Sequence, residues 1–274
     1  MEIKKLTKTV FTRWLFFCLC QAFGVATAIY FGIIGNSSKA FMGGISLLYV
    51  SVPMTVERLF KFRLQLSLYI ITVFYAVCPL LGYAYNMYYT VTWWDDIMHA
   101  FSGVIFAMFG AYLPKVINKN GKNSLVMCAI FGLVFSMAIS MAWEFVEFSL
   151  DAFFGTDMQK DTVVYNIRSY LLGEWSGLPV SEMAEWNINQ VLVNGTELPG
   201  YLDIGLIDSM KDMIVETFGA IVYTVIYVAG KGQHFVFETL EEEAARLAAE
   251  KVQTQEELSA SQAEAAVALD EKTE

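Results

Sequence analysis

The chain of 274 residues is 56% hydrophobic and only 17% charged, whereas an ordinary globular domain carries about 25% charged residues, so its composition argues against a soluble enzyme. Its net charge of -10 comes mainly from the C-terminal residues 238–274, which hold 11 acids and 3 bases. Because Lys and Arg are nowhere clustered densely enough to face phosphates, nucleic-acid binding is excluded.

Apolar blocks along the chain predict six membrane-spanning helices. Each block has about 17 to 25 residues, which is the length that an α-helix needs to cross roughly 30 Å of hydrocarbon. In chain order the blocks cover about 14–35, 40–56, 65–84, 98–114, 124–148 and 206–229. The second block contains Pro53, which favours a tilted, kinked or partly re-entrant segment. The predicted fold class is therefore all-α, a polytopic transmembrane helical bundle of about six spans.

The basic residues alternate along the chain and predict its orientation, since cytoplasmic loops are enriched in Lys and Arg. Eleven of them lie in one set of alternate segments: Lys4, Lys5, Lys8, Arg13, Arg58, Lys61, Arg63, Lys115, Lys119, Lys122 and Lys231. The opposite set holds only Lys39, Lys160, Arg168 and Lys211. Both termini are therefore predicted to be cytoplasmic, and the chain is predicted to cross the bilayer several times.

Three regions follow from this topology. Residues 1–13 form a cytoplasmic N-terminus, 14–230 the transmembrane bundle, and 231–274 an acidic cytoplasmic tail that is partly helical or disordered. Within the bundle, the segment at about 150–205 lies on the outer side, and we expect it to form short interfacial helices or a cap. Gly103 and Gly110 in the fourth span are predicted to permit close helix packing.

Ionisable side chains gather at the predicted outer ends of three spans, although a charge at a helix centre costs at least ~2.5 kcal/mol. They are Asp96 and His99 in the fourth span, Glu144 and Glu147 in the fifth, and Asp208, Asp212 and Glu216 in the sixth. Spacings of three or four residues put the members of each set on one helix face. Glu216 lies roughly 12 Å below Asp208 by helix rise, and an acid at that depth requires a partner, water or a proton. The sequence therefore predicts an acidic pocket that opens to the outside.

Four more ionisable residues are candidates for this pocket: Asp95, Asp157, Asp161 and Lys211. For the three acids the alternative is an ordinary loop acid or helix N-cap, and Lys211 more simply neutralises Asp208 or Asp212. Repulsion among so many carboxylates is normally relieved by a cation or by protonation.

The residue types at the pocket suit a divalent cation. Oxygen ligands with one imidazole fit Mg²⁺, Mn²⁺ or Ca²⁺, and Zn²⁺ fits His99 with two carboxylates. A di-iron bundle is excluded because the chain has no Glu-x-x-His motif. We expect Asp96, His99, Asp208 and Asp212 to hold the cation.

Four short motifs follow one another in a set order. They are Trp-Asp-Asp-x-x-His at 94–99, Trp-Glu-x-x-Glu at 143–147, Asp-x-x-x-Asp-Thr at 157–162, and Asp-x-x-x-Asp at 208–212 before Thr217-Phe218-Gly219-Ala220. Over about residues 65–229 this order resembles the YjdF-like family of bacterial inner-membrane proteins and, more distantly, VanZ-like proteins. The resemblance implies a membrane fold and a set of residues more than an activity. VanZ-like proteins are associated with resistance to cell-envelope glycopeptides, which implies an envelope role. The chain departs from both families in the long segment after Glu174 and in its acidic tail.

These features favour a cell-envelope protein of the bacterial cytoplasmic membrane that acts as a metal-assisted hydrolase or transferase on a lipid-linked or cell-wall substrate. Glu144 or Glu147 is the expected general base. One alternative is a proton- or cation-coupled transporter or channel, with a path through Glu147, Asp212 and Glu216. Another is a non-catalytic envelope ligand-binding or sensing module, whose acidic tail engages a cytoplasmic partner.

Overall fold

The computed structural model describes residues 2–118, 123–232 and 237–239, together with positions 248–249, 252–253 and 255 of the tail. The prediction for the acidic tail therefore falls largely outside the described residues. Within them the chain is mostly helical, and six helices are long and apolar enough to cross a membrane. The predicted polytopic helical bundle with about six spans is confirmed.

The six long helices are connected by short turns and by one long segment. In chain order the described helices are α1 (Glu2–Ile33), α2 (Ser37–Phe60), α3 (Leu66–Ala84), α4 (Met87–Thr90), α5 (Trp94–Ile117), α6 (Leu125–Phe154), α7 (Tyr170–Trp175) and α8 (Leu206–Ala229). All except α4 and α7 are the candidate spans. Because α2 continues through Pro53 as a single helix, the re-entrant interpretation of the second block is wrong.

The described strands are short and pair two by two. They are β1 (Phe62–Leu64), β2 (Thr162–Val164), β3 (Asn166–Ser169), β4 (Ala184–Asn187), β5 (Val191–Val193), β6 (Thr196–Leu198), β7 (Tyr201–Asp203) and β8 (Phe237–Thr239). The antiparallel pairs are β1 with β8, β2 with β7, β3 with β4, and β5 with β6.

The chain divides into two compact units, of which the first contains Met1–Met98 and Gly230–Glu274. Its helices α1, α2 and α3 pack against one another. Gly43 of α2 lies so close to α1 that a Cβ there would be 2.5 Å from the backbone nitrogen of Ala28. Polar side chains link the same helices, since Gln21 donates to Ser51 at 3.0 Å and the hydroxyls of Thr27 and Tyr85 are 3.0 Å apart.

A buried ion pair joins three elements of this first unit. The Arg13 guanidinium donates to both carboxylate oxygens of Glu57, which is only 1% exposed. Arg13 also donates to the Leu64 carbonyl at 2.8 Å, while the Leu64 N–H donates to Glu57 Oε1 at 2.8 Å. The guanidinium lies 3.7 Å from the centre of the Tyr69 ring, a cation–π contact. These bonds tie α1, α2 and β1 to the start of α3.

The second unit, His99–Ala229, is built on α5, α6 and α8. Gly103 of α5 touches the backbone of α8, where a Cβ would collide with the carbonyl oxygen of Glu216. Farther along α5, a Cβ on Gly110 would lie 2.7 Å from Phe135 Cβ of α6. The prediction that Gly103 and Gly110 permit close helix packing is therefore confirmed. Ser136 Oγ reinforces the same interface by donating to the Gly103 carbonyl at 3.2 Å.

Between α6 and α8, the connecting segment 155–205 carries three of the four strand pairs and the short helix α7. We expected short helices there, and only α7 meets that expectation. The β5–β6 hairpin turns at Asn194 and Gly195, which both have positive φ, and this conformation is favoured in two-residue hairpins. The described part of the segment is thus a set of small antiparallel ribbons with one short helix.

Candidate functional site

His99 of α5 meets two carboxylates of α8. Its Nε2 lies 3.3 Å from Asp212 Oδ2, and its Nδ1 lies 3.9 Å from Glu216 Oε2. The three residues are 8%, 1% and 2% exposed, so all are effectively removed from solvent. We call this group of His99, Asp212 and Glu216 the His99 cluster.

The residue pattern of α8 explains how its acids come to face inward. Asp208, Asp212 and Glu216 recur every four residues and are all buried, so they line one face of the helix. The opposite face presents Ile214 and Phe218, which are 64% and 65% exposed in the isolated chain. In a bilayer that face meets lipid, and the acidic face turns towards the other helices of the unit.

Glycine contacts set the close approach that the His99 cluster needs. A Cβ on Gly219 of α8 would collide with the carbonyl oxygen of Ala100, the residue after His99. On the other helix, Gly103 touches the carbonyl of Glu216 itself. Since these glycines lie one turn or less from the cluster residues, the packing of the two backbones directly fixes the distance between the imidazole and the carboxylates.

Two further buried acids come from α6, which packs on α8. Glu144 and Glu147 are 5% and 8% exposed. Trp143 donates its indole N–H to Glu147 Oε1 at 2.8 Å, one turn away on the same helix, so this carboxylate has a set orientation. The predicted inward placement of both acids therefore agrees with their burial.

The Asp208 carboxylate accepts a hydrogen bond from the backbone of the connecting segment. Its Oδ2 accepts the Lys160 backbone N–H at 2.8 Å, and the neighbouring Ser209 hydroxyl accepts from the Gln159 side chain. At the end of α6, Asp151 accepts the N–H groups of Met158 and Gln159 at 2.7 and 2.8 Å. These bonds fasten the start of the connecting segment to α6 and α8, so Asp208 has a positioning role, and the metal-ligand role stays a prediction.

The other predicted candidates lie on α5, on α8 and in the connecting segment. Asp95 and Asp96 are in the first turn of α5, with Asp95 one turn before His99 and hence on its helix face. Lys211 is exposed on α8. Asp157 and Asp161 are exposed in the connecting segment, where partial desolvation and the nearby charges of Asp157, Asp203 and Asp151 raise the pKa of Asp161.

Sequence reasoning missed the hydroxyl groups beside the acids. Ser136 and Ser140 on α6 are 0% and 2% exposed and continue the face of Glu144 at four-residue spacing. Ser102 donates to the His99 carbonyl at 2.8 Å. The same spacing argument that grouped the acids would have included Ser136 and Ser140.

Glu216 has an unsatisfied oxygen. Its Oε2 faces His99, whereas its Oε1 is buried without a hydrogen-bond partner among the described residues. An unsatisfied buried carboxylate oxygen is costly, and such groups normally bind a proton, a water molecule or an ion. The His99 cluster therefore has the ligand types and the open acceptor that a small cation or a proton requires.

Sequence comparison agrees with the membrane architecture. The sequence model of the family described as Predicted membrane protein (DUF2238) matches residues 13–166, more than half of the chain. The chain belongs to this family. The DUF2238 match runs from α1 to the start of β3, so it includes His99, Glu144 and Glu147 but ends before the α8 acids. No curated protein and no solved structure matched the chain in these comparisons.

Proposed function

We propose that the His99 cluster binds a divalent cation and that the protein is a metal-assisted hydrolase or transferase of the bacterial cytoplasmic membrane. The observation that carries the cation is the 3.3 Å separation of His99 Nε2 and Asp212 Oδ2 in a buried, acid-rich site. Two ligand atoms that each lie about 2.1 Å from one ion are separated by a similar distance. Glu216, with its open oxygen, supplies further negative charge.

Asp95 is the best candidate for a third ligand. It precedes His99 by one turn of the continuous helix α5, so a carboxylate and an imidazole are offered from the same helix face. This choice differs from the expected ligand Asp96, which lies one residue further along the first turn of α5. A set of carboxylate oxygens with one imidazole suits Mg²⁺, Mn²⁺ or Zn²⁺.

The buried acids of α6 supply the general base. A cation activates a bound water or substrate hydroxyl for attack, and a carboxylate nearby accepts the proton. Glu144 and Glu147 are both candidates for this base, and the Trp143 indole orients Glu147 through the hydrogen bond to its Oε1. The substrate class rests on the resemblance to YjdF-like and VanZ-like proteins, which supports a lipid-linked or cell-envelope substrate met on the outer side of the inner membrane.

Metal content tests the cation directly. We would purify the full chain in detergent and measure bound metals by elemental mass spectrometry, comparing wild type with the His99→Ala, Asp212→Ala double variant. Glu197→Gln serves as the matched control, because Glu197 is an exposed carboxylate on β6 of the same unit. Wild type and control should carry stoichiometric metal, and the double variant should lose it. A folded wild-type protein without metal would refute the proposal.

A second test separates metal binding from catalysis. Glu144→Gln should keep the metal content of wild type while failing to complement a deletion strain, because the amide no longer accepts a proton. Full complementation by both Glu144→Gln and His99→Ala would remove the enzymatic interpretation.

One observation favours proton or cation transport as a second candidate. The acids Asp208, Asp212 and Glu216 descend one buried face of α8 over roughly 12 Å, and Ser140 adds a buried hydroxyl on α6 that has no hydrogen-bond partner among the described residues. Such chains of protonatable groups mark ion pathways in membrane proteins. In liposomes loaded with a pH-sensitive dye, transport predicts a proton flux that Glu216→Gln abolishes and Glu197→Gln leaves intact. The absence of flux in wild type would exclude this candidate.

A further inference from the structure

A large apolar surface is exposed on the connecting segment 155–205. Its main members are Tyr170, Leu171 and Trp175 of α7 and Trp186 of β4, with Trp175 70% exposed. We call these four residues the aromatic face. Exposed groups of large apolar side chains on this scale mark a surface that meets a partner or a membrane.

The β3–β4 ribbon has two faces of opposite character. On one face Arg168 forms a 3.0 Å ion pair with Glu185, and Asn166 donates to Glu185 and to Asn187. Alternate residues of the two strands point the other way, so Trp186 projects from the opposite face, across from Ile167. The ribbon is therefore polar on one side and apolar on the other.

Helix α7 packs on this ribbon and exposes further apolar side chains. Gly173 packs against the backbone of the residues before β4, where a Cβ would collide with the Glu182 carbonyl oxygen. The helix is thus held by its small residue, and its large side chains Tyr170, Leu171 and Trp175 are left on the surface.

The connecting segment is also continuous with helices that have apolar exposed faces. It starts directly after α6 ends at Phe154 and leads through β7 into α8 at Leu206. Exposed apolar side chains continue along that path, since Tyr201 and Ile204 are 48% and 77% exposed and are followed on α8 by Met210. Exposed apolar side chains therefore continue from the span into the segment itself.

We propose that the aromatic face inserts into the head-group region of the bilayer from which α6 and α8 emerge. Indole and phenol rings combine an apolar body with a polar edge and are enriched at that depth. The Arg168–Glu185 face then points to water. The partner is a phospholipid surface, and the inference depends neither on the His99 cluster nor on which side of the membrane the segment lies.

Tryptophan quenching in liposomes tests this assignment on the full chain. Because the chain contains 6 tryptophans, the signals of Trp175 and Trp186 are isolated as differences between wild type and the conservative variants Trp175→Phe and Trp186→Phe. Each difference signal should be quenched by lipids brominated near the head-group end of their acyl chains and protected from aqueous iodide. Quenching by iodide alone would show a face in water, and quenching by neither would show a face covered by protein; either result overturns the proposal.

A swap of neighbouring residues supplies the matched control. Trp186→Asn combined with Asn187→Trp moves the indole by one residue, from the apolar to the polar face of β4. The moved indole should be quenched by iodide and not by brominated lipid. If the two positions are quenched alike by lipid, the ribbon has no membrane-facing side, and the assignment fails even where Trp175 is lipid-quenched.

Discussion

Replacing Glu57 by Gln tests whether the buried ion pair of the first unit is essential for stability. Glu57 is 1% exposed and accepts three hydrogen bonds, two from Arg13 and one from the Leu64 N–H. A glutamine keeps one oxygen as acceptor, but its NH₂ group turns a donor towards the donors that now surround the carboxylate. The Arg13 guanidinium, whose side chain is only 12% exposed, loses its counter-charge.

The size of the effect follows from this environment. Breaking a buried ion pair by removing one partner typically costs about 3–5 kcal/mol, because a charge is left buried and uncompensated. We expect about 3 kcal/mol for Glu57→Gln, at the low end, because one acceptor remains and the Tyr69 ring still faces the cation. Arg63→Gln is the control: Arg63 lies 3.6 Å from Glu57 with a 45% exposed side chain, so its loss should cost no more than about 1 kcal/mol.

Unfolding by SDS in mixed micelles, followed by circular dichroism, measures these free energies. The double variant Arg13→Met, Glu57→Leu should be more stable than Glu57→Gln alone, because removing both charges leaves neither one uncompensated. If Glu57→Gln cost less than about 1 kcal/mol, the pair would behave as a surface salt bridge and the argument from burial would be wrong.

Three further variants test the second unit. Gly103→Ala places a methyl group against a backbone carbonyl of α8, so it should cost about 1–3 kcal/mol in SDS unfolding and lower the metal content. Gly110→Ala meets α6 instead and should lower stability only. Equal loss of metal in the two variants would refute a local effect on the His99 cluster. Asp208→Asn keeps an acceptor for the Lys160 N–H of the connecting segment, and Asp208→Ala does not. Limited proteolysis should therefore cleave near residues 156–160 only in the alanine variant, and equal cleavage of both variants would contradict the positioning role. Desolvation and nearby acids raise the pKa of Asp161 in the folded state, so the ionised side chain destabilises the fold above that pKa and has no such effect below its pKa in the unfolded chain. Asp161→Asn should therefore raise the midpoint of thermal unfolding slightly at pH 7 and leave it unchanged near pH 3. A higher midpoint at both pH values would exclude titration of Asp161 as the cause.

The spans and the inward face of α8 could be predicted from sequence because both depend on local regularities. Hydrocarbon thickness sets the length of an apolar block, and helical spacing groups Asp208, Asp212 and Glu216 without knowledge of any partner. The close-packing glycines Gly103 and Gly110 were predictable for the same reason, since a missing Cβ in a span has few other uses.

Contacts between side chains on different helices could not be predicted in this way, because they depend on tertiary packing. Arg13 was counted as one of the cytoplasmic bases, yet its guanidinium forms a largely buried ion pair with Glu57, which is 44 residues away in the sequence. The pairing of His99 on α5 with Asp212 on α8 is likewise a choice among faces that periodicity leaves open. Both depend on which helices lie side by side.

The sequence of the connecting segment contains a β-hairpin signal that the prediction for this segment did not include. Asn194-Gly195 between two short apolar runs is a strong hairpin signal, and the hairpin β5–β6 forms there. Short interfacial helices or a cap were expected instead, and α7 is the one helix that forms in the described part of the segment. The turn residues at 194 and 195 would have predicted the hairpin.

The buried carboxylates of Glu57 and Glu216 differ in how far the described residues satisfy them. At Glu57 both carboxylate oxygens accept hydrogen bonds from within the protein, so burial is explained by structure alone. At Glu216 one oxygen faces an imidazole at 3.9 Å and the other has no hydrogen-bond partner among the described residues. Because leaving a buried acceptor unsatisfied costs about 1–3 kcal/mol, a site that retains one is explained most simply by something the chain does not supply, either an ion or a proton. Glu216→Gln therefore separates the two proposals, because it is expected to abolish a proton flux that exists only if the protein is a transporter.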